Sequence, residues 1–266
     1  MFQEKCPDGF NRLDDVNDLE AFLAEMQAKL KYAFQPIIDI KSGQIHGVEA
    51  LLRGNQSMGF ETIKSFFDHA FKQNMLYLVD RQLRRMAIAA FAQLDISKTS
   101  KLFYNIDGRL FELEDISPDW SRNTLAQHSL DTSNLIFELS EAYHNANASY
   151  FNQHMEQCLK NGIGVALDDF GQGFSEMRVL YEQTADYIKI DRLFIDGISK
   201  DRKKELFTTS IISLSRVLGL KVVAEGVETK EDYLVCRNLG CDLLQGYYIQ
   251  RPTLDHSQIR SLYTLS

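Results

Sequence analysis

The sequence predicts an α/β protein built as a (β/α)8 TIM-like barrel, and three observations lead there. Short apolar runs alternate with amphipathic helical stretches, which implies parallel strands joined by right-handed crossovers. About eight such runs fit into a chain the length of one large α/β domain. Each run ends at or near a polar residue, and in a barrel all those ends meet at one mouth.

The elements follow in order. Residues 1–18 are polar, carry Pro7 and Gly9, and read as an N-terminal arm ahead of a single domain over 19–266. Asp18 can cap a helix whose Leu19, Phe22, Leu23, Met26 and Leu30 fall at helical spacing. That apolar face packs on the barrel, on a partner subunit or on an upstream domain. Residues 32–40 form the first strand, and Pro36 within it favours an edge or irregular position. Lys41-Ser42-Gly43-Gln44 is a hairpin turn into a second strand over 45–52. Glu49 lies inside that strand, either facing outward or paired in a site. Residues 62–73 and 77–93 are helices, and Leu102-Phe103-Tyr104 ends in Asn105. Residues 107–127 are irregular around Pro118, with room for a short helix.

Leu135-Ile136-Phe137 ends in Glu138, with Glu141 beyond it. A helix over 148–160 stops at Asn161-Gly162. The apolar run 163–167 is a buried strand that ends in Asp168 and Asp169, then a glycine-rich turn. Tyr187-Ile188 leads to Lys189 and Asp191. Helices over 201–218 and 230–239 stop at Gly219 and Gly240. Residues 221–224 end in Glu225, with Glu228 one loop step later, and Leu243-Leu244 leads to Gln245-Gly246.

Composition narrows the function classes. The formal net charge of −8 argues against bulk binding to a nucleic-acid polymer, which needs a basic face. No apolar run approaches the roughly 18 residues of a membrane span, and the N-terminus has no signal-peptide stretch. Cys6, Cys158, Cys236 and Cys241 form no paired zinc pattern and read as free thiols. Together these predict a cytoplasmic chain.

Glu49, Asn105, Glu138, Asp168, Asp169, Lys189, Glu225 and Gln245 then line one pocket. So many carboxylates cannot all stay ionised without cations: several titrate upward, or divalent metals sit among them. Oxygen ligands without His or Cys favour Mg²⁺ or Mn²⁺ over zinc. Two such ions roughly 3.5–4 Å apart suit phosphoester hydrolysis, with Lys189 positioning a water or stabilising developing charge. Each residue also has a structural alternative. Asn105 can cap a turn, Glu138 and Glu141 can serve a helix dipole, Lys189 and Asp191 can pair, and Gln245-Gly246 can be a plain turn. The agreement of all the strand ends favours a metal-dependent enzyme.

At these residues the chain resembles the EAL domain of bacterial cyclic di-GMP phosphodiesterases. The motifs are Phe34-Gln35-Pro36-Ile37, Glu49-Ala50-Leu51-Leu52-Arg53, Asp168-Asp169-Phe170-Gly171, Lys189-Ile190-Asp191, Ala224-Glu225-Gly226-Val227-Glu228-Thr229 and Gln245-Gly246-Tyr247. They stand in the family's order between about Tyr32 and Pro252. The resemblance implies a barrel whose first strand is antiparallel, and hydrolysis of cyclic di-GMP to linear pGpG. It implies two Mg²⁺ or Mn²⁺ ions held by Glu49, Asn105, Glu138, Asp168, Asp169, Glu225 and Gln245. Lys189, Glu225 and Glu49 are the catalytic set. Gln35, Leu52, Arg53, Asp191 and Tyr248 contact substrate, and Glu141 and Glu228 brace the loop after Asp169. A homodimer is the family expectation. The chain departs from the family's pattern at Gln172, Phe174 and Glu176, at Gly54, and at Asp107-Gly108. None of these removes a metal ligand, but the loop changes bear on turnover. A catalytically weak or inactive domain, acting as a cyclic di-GMP receptor or through the Leu19–Leu30 helix as a protein-interaction module, is the alternative.

Overall fold

A computed structural model describes residues 16–112, 118–140, 148–171 and 185–265. Eight strands close into a barrel in sequence order. They are β1 (Lys31–Asp39), β2 (Ile45–Arg53), β3 (Lys101–Asn105), β4 (Leu135–Ser140), β5 (Gly164–Phe170), β6 (Tyr187–Ile190), β7 (Lys221–Ala224) and β8 (Leu243–Leu244). Neighbours from β2 to β8 pair parallel, and β1 pairs antiparallel with both β2 and β8. The helices are α1 (Val16–Lys29), α2 (Ile63–Lys72), α3 (Leu76–Phe91), α4 (Pro118–Gln127), α5 (Ala148–Lys160), α6 (Arg192–Ile195), α7 (Arg202–Leu218) and α8 (Lys230–Leu239). The expected α/β barrel with one antiparallel strand is the observed fold.

Pro36 does not break β1. The N–H groups of Phe34 and Ile40 point to Thr253 and Asp242 on the β8 side. Pro36 shares their parity and turns its missing N–H the same way. There β1 pairs with β8 only at Ile38 and Asp39, so the ladder skips Pro36. The hairpin after β1 is held by Asp39, whose Oδ1 accepts from the Lys41 and Ser42 N–H groups at 3.1 and 2.7 Å. Gly43 then turns at φ +74°, and a Cβ there would lie 2.2 Å from the Tyr263 carbonyl oxygen.

Helix α1 begins at Val16, so Asp18 sits in its first turn beside the positive end of the dipole instead of at the cap. Its apolar face is covered by this chain itself. Phe22, Met26 and Leu30 are buried, and the Phe22 ring stacks on Phe66 of α2 at 6.2 Å. Of the three expected packing partners for this face, the chain's own barrel side is the one observed. The stretch around Pro118 is also more regular than expected, because Pro118 occupies the first position of α4, where its missing N–H costs nothing.

Two apolar layers hold the barrel. The outer one packs Phe34, Leu102, Tyr104, Leu135 and Phe137 against Phe66, Leu83 and Ile88 of the helices. The inner one is a ring of Ile37, Phe103, Ile136, Ala166, Tyr187, Val223 and Leu243, one residue from nearly every strand. Cys158, Cys236 and Cys241 are buried and unbridged. Among the described residues no helix is long and apolar enough to cross a membrane.

Candidate active site

The site is the next tier above that inner ring. Side chains on a strand alternate, so residues two apart face the same way and lie one pleat, about 6.6 Å, apart along the strand. Moving two positions toward the mouth turns Phe103 into Asn105, Ile136 into Glu138, Ala166 into Asp168, Tyr187 into Lys189, Val223 into Glu225 and Leu243 into Gln245. On β2 the same step goes from Gly47 to Glu49. On antiparallel β1 it goes backward, from Ile37 to Gln35. Pleat geometry alone therefore converts eight separate strand ends into one polar tier on an apolar floor.

Asp169 is the exception, since an adjacent residue on a regular strand faces away. Its φ of +54° breaks the alternation, and the β5–β6 register shifts between Leu167 and Phe170. Asp is among the few non-glycine residues that tolerate this left-handed conformation. Carboxylate oxygens of Asp168, Asp169 and Glu225 consequently lie within 4.8 Å of one another.

One cation serves the whole tier. Lys189 is 1% exposed, and its Nζ lies 2.5 Å from Glu138, 2.7 Å from Glu225, 2.8 Å from Asp168 and 3.6 Å from Glu49. Asn105 Nδ2 donates to Glu49 Oε1 at 2.8 Å and Glu138 Oε2 at 3.1 Å. Gln245 Nε2 donates to Glu49 Oε2 at 2.6 Å and Gln35 Oε1 at 3.2 Å.

Five carboxylates against one ammonium leave a large excess of negative charge, and it shows in their titration. Burial pushes the Glu138 carboxyl well above the usual range, with Glu49 and Asp168 adding repulsion against the pull of Lys189. Burial also raises Glu225 well above that range, Lys189 offsetting part and Asp168 adding to it. Asp169 is pushed up to about 6, by burial first and then by Asp168 and Asp191. Glu49 goes the other way: burial opposes its charge, but Lys189 and the Gln245 and Asn105 amides outweigh that. For Lys189 burial again opposes the charge, and the surrounding carboxylates hold it well above an ordinary lysine.

The donor set fits a divalent cation. Every free donor atom is oxygen, and the Gln245 Oε1 is buried with no hydrogen-bond donor among the described residues. An oxygen-rich, negatively charged cage of this kind suits hard ions such as Mg²⁺ or Mn²⁺.

This has a consequence for metal-free protein. Carboxyls whose folded pKa is raised hold protons in the fold that they release in the unfolded chain. Their stabilising contribution is full below about pH 4 and is lost as pH rises through the folded values, near 6 for Asp169. Divalent ions displace those protons, so the rise in melting temperature on adding Mg²⁺ should grow between about pH 5 and about pH 8. Thermal melts with chelator or Mg²⁺ across that range measure it. A metal-induced shift that stays constant with pH would contradict the charge balance drawn here.

The description "EAL domain" belongs to the family model that matches residues 17–252. The chain belongs to the EAL domain family. It is 34% identical over 252 residues to the bifunctional diguanylate cyclase/cyclic di-GMP phosphodiesterase MucR of Pseudomonas aeruginosa, covering 91% of this chain and 35% of that protein. The chain spans about a third of the length of the curated relatives it matches. Among solved structures, the MucR phosphodiesterase in complex with c-di-GMP superposes with a TM-score of 0.76 at 31% identity, over 92% of this chain and 99% of that one. Klebsiella pneumoniae BlrP1, in a manganese/cy-diGMP complex, superposes with a TM-score of 0.75 at 26% identity, over 84% of this chain and 56% of that one.

The remaining expected site residues of this EAL domain are not all at the mouth. Gln35 joins the tier through Gln245. Arg53 stands at the end of β2, exposed, its Nη1 donating to the Leu52 carbonyl at 2.9 Å. Leu52 itself faces outward into the apolar layer beside Tyr32, because Glu49 faces inward and parity carries Leu52 the other way. Tyr248, half-buried, stacks on Tyr233 of α8 at 5.4 Å. Asp191 caps α6, accepting from the Leu193 N–H at 2.8 Å, and is not the partner of Lys189. Glu228 pairs with Arg192 at 2.8 Å. Glu141 and the loop residues Gln172, Phe174 and Glu176 lie outside the described residues.

Two departures from the family pattern have local reasons. Gly54 adopts φ +98°, where a Cβ would lie 2.4 Å from the Lys29 carbonyl at the end of α1. Asp107 grips Arg109 through both oxygens at 2.9 and 2.6 Å, and Arg109 reaches Asp68 of α2 at 2.7 Å. Sequence reasoning missed Gln250, whose carbonyl accepts from Gln35 Nε2 at 3.2 Å. A backbone acceptor leaves no residue-type signal, so nothing in the sequence marked it.

Proposed function

We propose that this EAL domain hydrolyses one phosphodiester of cyclic di-GMP to give linear pGpG, using two Mg²⁺ or Mn²⁺ ions. The observation that carries the reading is the polar tier, with five carboxylates and two amide oxygens arranged around a single buried lysine. Glu49, Asn105, Glu138, Asp168, Asp169, Glu225 and Gln245 would hold the ions. When bound, such ions neutralise phosphate charge and acidify a water molecule for attack on phosphorus.

The protein's own groups do the rest. The Asn105 and Gln245 amides turn their N–H groups onto Glu49 and so orient its carboxylate. Lys189, fixed among four carboxylates, holds a positive charge where negative charge develops during attack and supports the orientation of the water. Glu225 is exposed enough to meet that water and, as a carboxylate, would accept its proton. Gln35 and Arg53 flank the entrance, where a guanidinium suits a phosphate oxygen. The apolar ring beneath the tier closes the floor against solvent. We extend the reading to a cytoplasmic domain that works as a homodimer.

Purified protein given cyclic di-GMP with Mg²⁺ or Mn²⁺ should release pGpG, and chelation should stop it. A folded, metal-loaded sample that binds the dinucleotide without cleaving it would overturn the reading in favour of a receptor.

A further inference from the structure

The C-terminal residues 253–265 run back along the antiparallel edge of the barrel as a strap. Phe34 and Thr253 exchange N–H···O bonds at 2.9 and 3.0 Å, the Ile45 N–H reaches the Ser261 carbonyl at 2.9 Å, and the Tyr263 N–H reaches the Gly43 carbonyl at 2.9 Å. This strap pairs with β1 at Phe34, which β8 leaves unpaired, and with the β1–β2 hairpin at Gly43 and Ile45. It lies beyond residue 252, where the family match ends.

We propose that Tyr263 and Gln250 are positioning residues for the metal site, acting through a directed chain of hydrogen bonds that sets the orientation of the Gln245 amide. The proposal rests on the metal-site reading above. The direction of each bond is forced. The Tyr263 hydroxyl oxygen accepts from the Arg260 N–H at 3.1 Å, and it donates to Gln250 Oε1, also at 3.1 Å, because an amide oxygen can only accept. Gln250 Nε2 is buried with no partner among the described residues, which leaves Tyr263 as the group that anchors this side chain. The Gln250 main chain is fixed by its N–H to the Gly246 carbonyl at 3.1 Å. Its own carbonyl can only accept, so Gln35 must turn Nε2 toward it, at 3.2 Å. That presents Gln35 Oε1 to Gln245, which must then turn Nε2 toward Gln35. Both protons of Gln245 Nε2 are now spent, on Gln35 and on Glu49, and its Oε1 is left buried and undonated, available to an ion.

If Tyr263 lets go, Gln250 is held only through its main-chain N–H to Gly246, and its carbonyl is placed less tightly as the acceptor for Gln35. A flipped Gln35 would set one NH₂ against another and weaken the hold on Gln245. The strap thereby acts on ion affinity without touching ion or substrate.

The test is calorimetric titration of Mn²⁺ into the metal-free protein, with no substrate present. Tyr263→Phe and Gln250→Leu each remove one neutral hydrogen bond and should weaken Mn²⁺ binding by about three- to tenfold. Leu262→Ala lies in the same strap with its side chain 59% exposed, and should bind Mn²⁺ as wild type does. Should Tyr263→Phe fail to fold, Gln250→Leu carries the test. Unchanged Mn²⁺ affinity in either folded variant overturns the proposal while leaving the metal site standing. Equal weakening by Leu262→Ala also overturns it, as a general loosening of the strap. Wild type that takes up no Mn²⁺ overturns the metal-site reading and this proposal together.

Discussion

Glu49→Ala should reduce cyclic di-GMP hydrolysis by about a hundredfold or more while leaving the barrel folded. The expectation of a clean loss follows from the partners of Glu49. Asn105 keeps Glu138 as an acceptor, and Gln245 keeps Gln35, so no buried amide is orphaned. Lys189 keeps three carboxylates within 2.8 Å. The charge effects on stability oppose each other. The variant loses a carboxylate that Lys189 holds ionised, and it relieves repulsion on Glu138 and Glu225. The net change in unfolding free energy should be that of an ordinary substitution, about 1 kcal/mol. Catalysis has no such compensation, because one oxygen donor and the group that two amides orient both disappear. Steady-state kinetics with Mn²⁺, read beside a thermal melt, separate the two. Substantial turnover in a folded Glu49→Ala protein would place the reaction elsewhere.

The legible part of this fold was its parity. Strand ends at Asn105, Glu138, Asp168, Lys189, Glu225 and Gln245 could be read from where apolar runs stop, and a closed barrel then leaves them one mouth to share. What parity could not supply is any departure from it. Asp169 joins the site only because its backbone turns left-handed, and two adjacent aspartates look the same in sequence with or without that turn. Pro36 pointed to an edge or irregular position because the sequence does not show which neighbour a given N–H faces. The burial of α1 was undecidable for a related reason: an amphipathic face announces that it is covered, not by what. Side-chain direction at Leu52 was legible by the same parity, since inward-facing Glu49 obliges Leu52 to face out, whereas the stacking of Tyr248 on Tyr233 was not. The Tyr263–Gln250–Gln35 chain was invisible because its joint between Gln250 and Gln35 uses a main-chain carbonyl.

Lys189→Met should be the most damaging single change to metal-free protein. Its ammonium is the only cation within 4.0 Å of the site carboxylates among the described residues, and it touches four of them. An unpaired buried charge cluster costs about 3–5 kcal/mol when its partner is removed. The acids can escape part of that cost by taking up protons, which fixes the sign of the pH response. Carboxyls raised further in the fold stabilise it at low pH and lose that contribution as pH rises, so the variant should melt progressively lower than wild type from about pH 5 to about pH 8. Saturating Mn²⁺ or Mg²⁺ should recover much of the loss, since a divalent ion supplies the missing positive charge. Hydrolysis should not recover with it, because the ions restore charge to the cage but not a cation at the position where Lys189 would face the attacking water. Melts with chelator or metal across that pH range, paired with a cyclic di-GMP assay on the metal-loaded variant, resolve the two roles. A chelated Lys189→Met protein as stable as wild type at about pH 8 would mean that the carboxylates do not depend on the lysine for their tolerance of burial, and the electrostatic account of this site would fail with it.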